Sequence, residues 1–217
     1  MRLTYIFVLI FISLLAHGQY YQPVETYNVD DGLSHSEINY LFQDNRGFLW
    51  ISTGNGLNKF DGYRFKNYPV NPGDSSSLPA DQVIRMFEDT KKNLWVVSPR
   101  GLSKYIPSGD NFKTYYLNNI GNSTKIAIRD ALIDWKRNNI IVLGEDFIGK
   151  LELDDEKTRI LEIDSVVLHK LNNTDFLSYN GYYNSFFIYG SNTLLKFDAE
   201  KDSVSFIDPV LLKILLR

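Results

Sequence analysis

Short runs of alternating hydrophobic and polar residues, each closed by a turn sequence, recur along most of this chain. Residues 38–44 (INYLFQD) form an apolar run that ends before Asn-Arg-Gly, and residues 48–53 (FLWIST) form a second run that ends at Gly-Asn-Gly. The next two runs, 57–60 (LNKF) and 64–68 (RFKNY), alternate and are separated by an Asp-Gly pair. Alternation between such turns predicts four short antiparallel strands, and no window carries a sustained helical period.

The whole pattern repeats along the chain. Residues 38–60 align without a gap with residues 83–105 (VIRMFEDTKKNLWVVSPRGLSKY), at an offset of 45. Two diverged copies follow at offsets of 46, in residues 139–153 and 186–198. These later copies keep the apolar run, one glycine and a lysine before an apolar residue. A period this regular indicates one structural unit used several times.

The period and the strand count predict the architecture. A four-stranded meander cannot bury both of its faces alone, so neighbouring copies must cover them. Leucine-rich and ankyrin repeats are shorter, whereas a period near 45 with four strands is that of a β-propeller blade. We therefore predict an all-β fold, an incomplete propeller of about four blades with approximate limits of 33–68, 78–116, 126–162 and 172–208.

The two ends of the repeat region carry further predictions. Residues 24–32 (VETYNVDDG) resemble a fourth strand without a blade of its own, so they are predicted to be a ring-closing strand. Because the sequence stops about where a fifth copy would begin, we expect a fragment of a longer protein or a truncated reading frame.

Residues that recur in the first two copies have predicted structural roles. Trp50 and Trp95 should lie between adjacent sheets, because recurrence at one blade position favours packing over a carbohydrate-stacking site. Gly56 and Gly101 should permit the reversal into the third strand, with positive φ or close backbone approach. The repeat signature as a whole consists of Asp44, Gly47, Trp50, Gly56, Leu57, Asp61, Gly62, Asp89, Trp95, Gly101 and Leu102.

Composition and charge exclude several classes of function. The 217 residues are 44% hydrophobic, enough for a buried core, and include no cysteine. Disulfides, thiolate nucleophiles and cysteine-ligated metals are therefore excluded. The net charge is -3, with Lys and Arg scattered, so no basic stripe is available for a nucleic acid.

The first 18 residues predict export. Arg2 is followed by an apolar run over residues 5–16, and Ala16-His17-Gly18 places small residues at the positions of a cleavage site. The apolar run is shorter than the roughly 20 residues that a membrane-spanning helix needs. We therefore predict a signal peptide at residues 1–18 and no membrane span elsewhere.

Catalytic chemistry is not indicated. The three histidines, His17, His35 and His169, lack carboxylates at metal-ligand spacing, and no Gly-x-Ser-x-Gly or phosphate-binding glycine pattern occurs. We predict no catalytic residue, no metal and no cofactor. A ligand would be expected on the face with the second-to-third-strand loops and the inter-blade connections. The candidates there are His35, Asn55, Ser75 and Arg100, each of which is also an ordinary type of loop residue.

Residues 31–68 resemble a known family. They open with Asp-Gly-Leu-Ser, continue with Gln-Asp before a turn and Leu-Trp-Ile-x-Thr, and close with Phe-x-x-Tyr. This pattern is similar to the two-component regulator propeller repeat of periplasmic sensors in hybrid two-component systems of the Bacteroides group. The second copy keeps most of the pattern, and the last two copies support the propeller more than the family.

The resemblance implies a function for the whole receptor. It implies a periplasmic sensor of oligosaccharides that controls polysaccharide-utilisation genes through a histidine kinase, which this sequence lacks. The chain would then be non-catalytic by itself. Two alternatives stay open: a propeller scaffold for protein association or homodimerisation in the full-length receptor, and a secreted propeller lyase.

Overall fold

The computed structural model describes residues 24–117, 127–164, 167, 174–180, 185–190 and 193–207. The predicted signal peptide, residues 1–18, lies outside the described part of the chain. No helix among the described residues has the length and apolar character needed to cross a membrane.

Within this part of the chain, the strands form four sheets, and each sheet is an antiparallel meander of four strands in chain order. The prediction of an all-β fold of four propeller blades is confirmed, and no strand of the first described sheet pairs with the fourth. The strands are β1 (Ile38–Gln43), β2 (Leu49–Thr53), β3 (Gly56–Phe60), β4 (Phe65–Tyr68), β5 (Arg85–Glu88), β6 (Leu94–Ser98), β7 (Gly101–Ile106), β8 (Asn111–Tyr115), β9 (Ile128–Asp134), β10 (Asn139–Gly144), β11 (Ile148–Glu152), β12 (Lys157–Ile160), β13 (Thr174–Asn180), β14 (Ser185–Gly190), β15 (Thr193–Asp198) and β16 (Ser203–Phe206).

Tight turns set the register within each sheet. Thr53 pairs with Gly56, so only two residues connect β2 to β3. Gly56 has a φ of 87°, and a Cβ at this position would lie 2.7 Å from the carbonyl oxygen of Tyr68. In the second sheet, a Cβ on Gly101 would lie 2.9 Å from a side-chain methyl group. Both glycines therefore let the fourth strand approach the turn closely.

An aromatic cluster fills the space between the first and second blades. It includes Trp50 and Leu57 of the first sheet and Tyr105 and Phe112 of the second. Trp50 is fully buried, and its ring centroid lies 4.8 Å from that of Tyr105 at an interplanar angle of 68°. This edge-to-face contact adds to the area that the large rings bury.

Two further clusters join the later blades. Trp95 and Leu102 of the second blade pack with Ile133 and other apolar residues of the third. Between the third and fourth blades, Ile141 replaces the tryptophan and packs with Phe186. Each interface is thus built from the same strand positions, even where the aromatic ring has been lost.

The first strands of the blades lie side by side in chain order, as inner strands of a propeller do. Asp130 on β9 is buried and accepts two hydrogen bonds, at 2.7 and 2.9 Å, from the guanidinium group of Arg85 on β5. Its carboxylate also accepts a hydrogen bond at 2.9 Å from the backbone N–H of Leu177 on β13. This one side chain therefore connects three blades along the axis.

The segment before the first blade is not a strand in the described structure. Residues 24–28 are irregular, and Val29–Asp31 form one turn of 3-10 helix. Asn28 caps this turn: its side chain accepts from the N–H of Asp30, and its own N–H donates to Asp31. The segment pairs with none of the four described sheets, so its ring-closing role stays a prediction.

Candidate functional site

One end of each blade collects the loops that were expected to bind a ligand. The second strand ends and the third begins there, and because the neighbouring strands are antiparallel, the first strand begins and the fourth ends there too. We call this the loop end. His35 and Asn55 of the first blade lie at the loop end, and Arg100 occupies the place of Asn55 in the second blade.

Ser34 is the best-anchored polar residue at the loop end. Its backbone N–H donates to the side-chain oxygen of Asn58 at 2.9 Å, and its hydroxyl lies 2.8 Å from that of Thr53. Asn58 is fully buried and donates its other hydrogen bond to the carbonyl of Ile51 at 3.0 Å. Two buried side chains on β2 and β3 thus fix the position of a residue that precedes β1.

Asn55 and His35 flank this anchor. The N–H of Asn55 donates to the Thr53 hydroxyl at 3.1 Å, and its side-chain amide reaches the Ser34 carbonyl at 3.5 Å. The ring of His35 accepts a hydrogen bond at Nδ1 from the N–H of Glu37 at 3.0 Å. Since Nδ1 accepts, a neutral ring carries its proton on Nε2. Both side chains are exposed and can reach a bound molecule.

A cavity of about 400 Å³ opens beside these residues, and we call it the Ser34 cavity. Apolar and neutral polar groups share its wall, and the wall includes no charged side chain. The size lies within the usual range for small-molecule sites. The lining residues are Val29, Gly32, Leu33, Ser34, Asn55, Asn67 and Pro69.

Ser75 lies apart from this cavity. The carbonyl of the next residue, Ser76, accepts a hydrogen bond at 2.9 Å from the N–H of Phe112, just after the turn between β7 and β8. Asp74, Ser76 and Asp110 line a neighbouring cavity of about 210 Å³, which shares Asn67 and Pro69 with the Ser34 cavity. The expected grouping of Ser75 with Asn55 is therefore not observed, because the connection between β4 and β5 runs along the next blade toward its third-to-fourth-strand turn.

Arg100 is exposed in the turn between β6 and β7 and does not line the Ser34 cavity. The carbonyl of its neighbour Pro99 accepts a hydrogen bond from the N–H of Ile128 at 2.9 Å, which ties this turn to the start of the third blade. Of the four predicted ligand residues, the structure brings only His35 and Asn55 together.

The signature aspartates have a role that the sequence reasoning missed. Asp44 is buried and accepts a hydrogen bond from the indole N–H of Trp50 at 3.0 Å, and Asp89 accepts one from Trp95 at the same distance. Each carboxylate also caps its own turn by accepting from two backbone N–H groups, in the first blade those of Arg46 and Phe48. The shared spacing of six residues between Asp and Trp was the available signal.

The local hydrogen bonds of Asp44 keep it ionised. Burial alone would raise the pKa of this carboxyl, but hydrogen bonds from Trp50, Arg46 and the backbone of Phe48 lower the pKa below its ordinary value. In the third blade, where Trp is replaced by Ile141, the equivalent Asp134 instead accepts from Arg137 at 3.0 Å. These carboxylates stabilise turns and are not placed for acid or base chemistry.

Metal chemistry finds no support among the described residues, in which no three His, Cys, Asp or Glu side chains lie close enough to hold an ion.

Comparison with known proteins gives the repeat an identity. Residues 32–55 match the family model described as two component regulator propeller. These residues are a two-component regulator propeller repeat. They contain the lead-in to β1, the buried Asp44 and Trp50, and the Ser34 and Asn55 of the cavity.

A curated relative of part of this chain is named as a histidine kinase. Histidine kinase P4 of Formosa agariphila is 42% identical over 73 residues, which are 34% of this chain and 5% of the kinase. The chain therefore aligns with only a small part of that relative's length.

Solved structures share the propeller fold around this repeat. The extracellular domain of a candidate one-component system of B. thetaiotaomicron has a TM-score of 0.64 at 16% identity, over 86% of this chain and 23% of that one. The extracellular domain of a candidate hybrid two-component system of the same organism has a TM-score of 0.50 at 19% identity, over 83% and 31%. A virginiamycin B lyase of Staphylococcus aureus has a TM-score of 0.61 at 15% identity, over 87% and 59%. At these identities the likeness concerns the fold.

Proposed function

We propose that this chain is part of the exported, non-catalytic sensor of a hybrid two-component system, and that its Ser34 cavity binds a neutral oligosaccharide. The observation that carries the proposal is the propeller repeat at residues 32–55, which supplies Ser34 and Asn55, two of the three polar residues that line the cavity. The resemblance of a 73-residue stretch of the chain to a histidine kinase supports the signalling context.

The wall of the cavity suits a sugar. Asn55 and Asn67 present amide groups that both donate and accept, and Ser34 adds a hydroxyl. Val29 and Pro69, which are both exposed, provide apolar surface for the C–H faces of a pyranose ring. Since no charged side chain lines the cavity, an uncharged ligand is favoured over a uronate or a sulfated glycan.

A glycan array probed with the purified full chain, followed by calorimetric titration of each neutral oligosaccharide retained, tests the proposal. Asn55→Ala and Asn67→Ala should each weaken binding by about tenfold, the effect of losing one or two hydrogen bonds to a ligand. Ser75→Ala is the control and should bind as the parent does, because Ser75 does not line the cavity. Absence of any bound neutral glycan, or unchanged binding by both Asn variants, would contradict the proposal.

A second candidate is a scaffold for protein association. Most of the large apolar side chains that are exposed in the described residues belong to the first blade or the segment before it, namely Val24, Tyr27, Val29, Ile38, Leu41 and Tyr63. Exposed apolar side chains concentrated in one blade can serve a protein partner. Sedimentation of the chain over a range of concentrations distinguishes the two functions: self-association that persists in Asn55→Ala and in Arg100→Ala favours the scaffold.

A further inference from the structure

Three carboxylates recur at the same place in the second, third and fourth blades. Asp110, Glu156 and Asp202 are spaced by 46 residues and lie in the turns between the third and fourth strands. Each has a positive φ, of 49°, 53° and 50° respectively, a conformation that side chains other than Gly, Asn and Asp seldom adopt. The shared backbone conformation shows that the turn places its acidic side chain in the same way each time.

Each of these carboxylates forms an ion pair with a lysine on the third strand of the preceding blade. Lys59 lies 3.6 Å from Asp110, Lys104 lies 3.3 Å from Glu156, and Lys150 lies 2.5 Å from Asp202. Lys150 is almost completely buried. The ion pairs thus cross the blade interfaces, with the lysines largely buried and the carboxylates partly exposed.

A second cation comes from the fourth strand of the preceding blade. Lys66 pairs with Asp110, while Lys113 lies 2.5 Å from Glu156 and Arg159 lies 2.5 Å from Asp202. A carboxylate held by two cations of the neighbouring blade is therefore the repeating polar contact of this propeller. We call it the inter-blade clamp.

Two of the clamp carboxylates, Glu156 and Asp110, are held in their ionised form. A hydrogen bond from Lys113 and a second from Lys104 lower the pKa of Glu156 to about 2. Burial alone would raise the pKa of Asp110, but hydrogen bonds from Lys66 and two tyrosines lower it well below its usual range. The carboxylate is therefore charged at neutral pH, as an ion pair requires.

Lys196 occupies the same position in the fourth blade. It lies on β15 opposite Phe187 and Ser205, as Lys150 lies on β11 opposite Ile141 and Arg159. It is half-buried, and in the described part of the chain no carboxylate oxygen lies within 4.0 Å of its ammonium group. Asp198, on the same strand, instead caps the next turn by accepting from the N–H groups of Glu200 and Lys201.

We propose that the face of the fourth blade that carries Lys196 binds a further propeller repeat with a carboxylate in the turn between its third and fourth strands. Side chains alternate along a strand, so Lys196 points away from the third blade while its neighbour Phe197 packs toward it. Charge complementarity with the three existing clamps specifies the acidic turn. This surface is separate from the Ser34 cavity and does not depend on ligand binding.

A second copy of this chain fits the surface poorly. Docked head to tail, it would present its first blade, where Tyr63 holds the place that Asp110 holds two residues before the shared Phe-Lys-x-Tyr strand. Tyr63 is 92% exposed and carries no charge to meet Lys196. The partner is therefore a repeat of the type found in the second to fourth blades.

The probe is the full chain with a second copy of its residues 78–117 fused after Arg217, which brings the copied Asp110 to the turn of an added blade. The fusion should unfold cooperatively and at a temperature several degrees above that of the parent chain. Lys196→Glu should remove most of this gain in the fusion and change the parent little. Asp110→Lys in the added copy, combined with Lys196→Glu, should restore part of the gain.

Two results would overturn the proposal. The first is a fusion whose added stability is unaffected by Lys196→Glu, or that has no added stability. The second is a concentration-dependent dimer of the unmodified chain that Lys196→Glu abolishes, which would make a second copy the partner. Lys150→Glu in the parent chain is the positive control and should lower the unfolding temperature clearly, since its clamp is already formed.

Discussion

At the scale of single residues, the paired Asp and Trp of the first two blades make a directional hydrogen bond that a single substitution can remove. In Asp44→Asn, the amide oxygen can still cap the turn, but the amide NH₂ then faces the indole N–H of Trp50, so that two donors meet in a buried place. We expect a loss of about 1–3 kcal/mol in the free energy of unfolding. Urea denaturation measures it.

Asp61→Asn is the matched control. Asp61 also caps a turn, by accepting from the N–H groups of Tyr63 and Arg64, but it is exposed and has no indole partner. It should lose much less stability than Asp44→Asn. Equal losses in the two variants would show that turn capping, rather than the buried indole contact, accounts for the effect.

The lowered pKa of Glu156 predicts that acid removes the stabilisation by its inter-blade clamp. Because its pKa is lowered to about 2 in the folded chain, from about 4.3 when unfolded, its stabilisation is fully present above the unfolded value and is lost as pH falls toward 2. Glu156→Gln should therefore cost about 0.5–1 kcal/mol at pH 7, a modest amount because the carboxylate is partly exposed. The cost should vanish near pH 2, and thermal unfolding from pH 2 to pH 7 measures it. A cost that is independent of pH would contradict the assignment.

At the scale of elements, the β2–β3 turn depends on the absence of a side chain at Gly56. Gly47 and Gly56 have nearly the same φ, 88° and 87°, but a Cβ on Gly47 meets nothing within 4 Å while one on Gly56 would lie 2.7 Å from a backbone oxygen. Gly47→Ala should therefore cost about 1–2 kcal/mol from backbone strain alone. Gly56→Ala should cost clearly more, as measured by denaturant unfolding, and similar losses would show that the steric contact is unimportant.

The strands of the first two blades could be predicted because their ends are marked by turn residues with a specific conformation. The structure of residues 24–32, before the first blade, could not be predicted, because their alternation of apolar and polar residues is also that of a strand. What decides its structure is the reciprocal capping between Asn28 and Asp31, together with Tyr27 packing edge-on against Phe60 at 4.8 Å. Short polar caps of this kind compete with strand pairing wherever no sheet edge is available.

At the scale of the whole molecule, the repeat period predicted the architecture, but the polar contacts between blades could not be predicted from the sequence. The clamp joins residues such as Lys150 and Asp202, which are 52 positions apart, and neither looks unusual in its own strand or turn. Ser75 was misgrouped for a related reason: its connection packs on a turn of the next blade, and a loop's path depends on tertiary contacts that local sequence does not encode.

The contacts between neighbouring blades also predict how the molecule unfolds. Each blade contacts mainly its neighbours, so stability is a sum of blade and interface contributions, and weakening one interface should uncouple the two sides. Trp95→Ala removes the largest side chain between the second and third blades and should cost about 3–5 kcal/mol. Unfolding should then separate into two transitions.

The buried Trp50 reports the first two blades at short emission wavelengths, and the half-exposed Trp135 reports the later ones at long wavelengths. Trp135→Ala, the surface control, lacks the second reporter and is followed by circular dichroism, where it should keep a single transition with nearly unchanged midpoint. Coincident transitions at both wavelengths in Trp95→Ala would show that the blades remain coupled through the inner strands, where Asp130 binds Arg85 and Leu177.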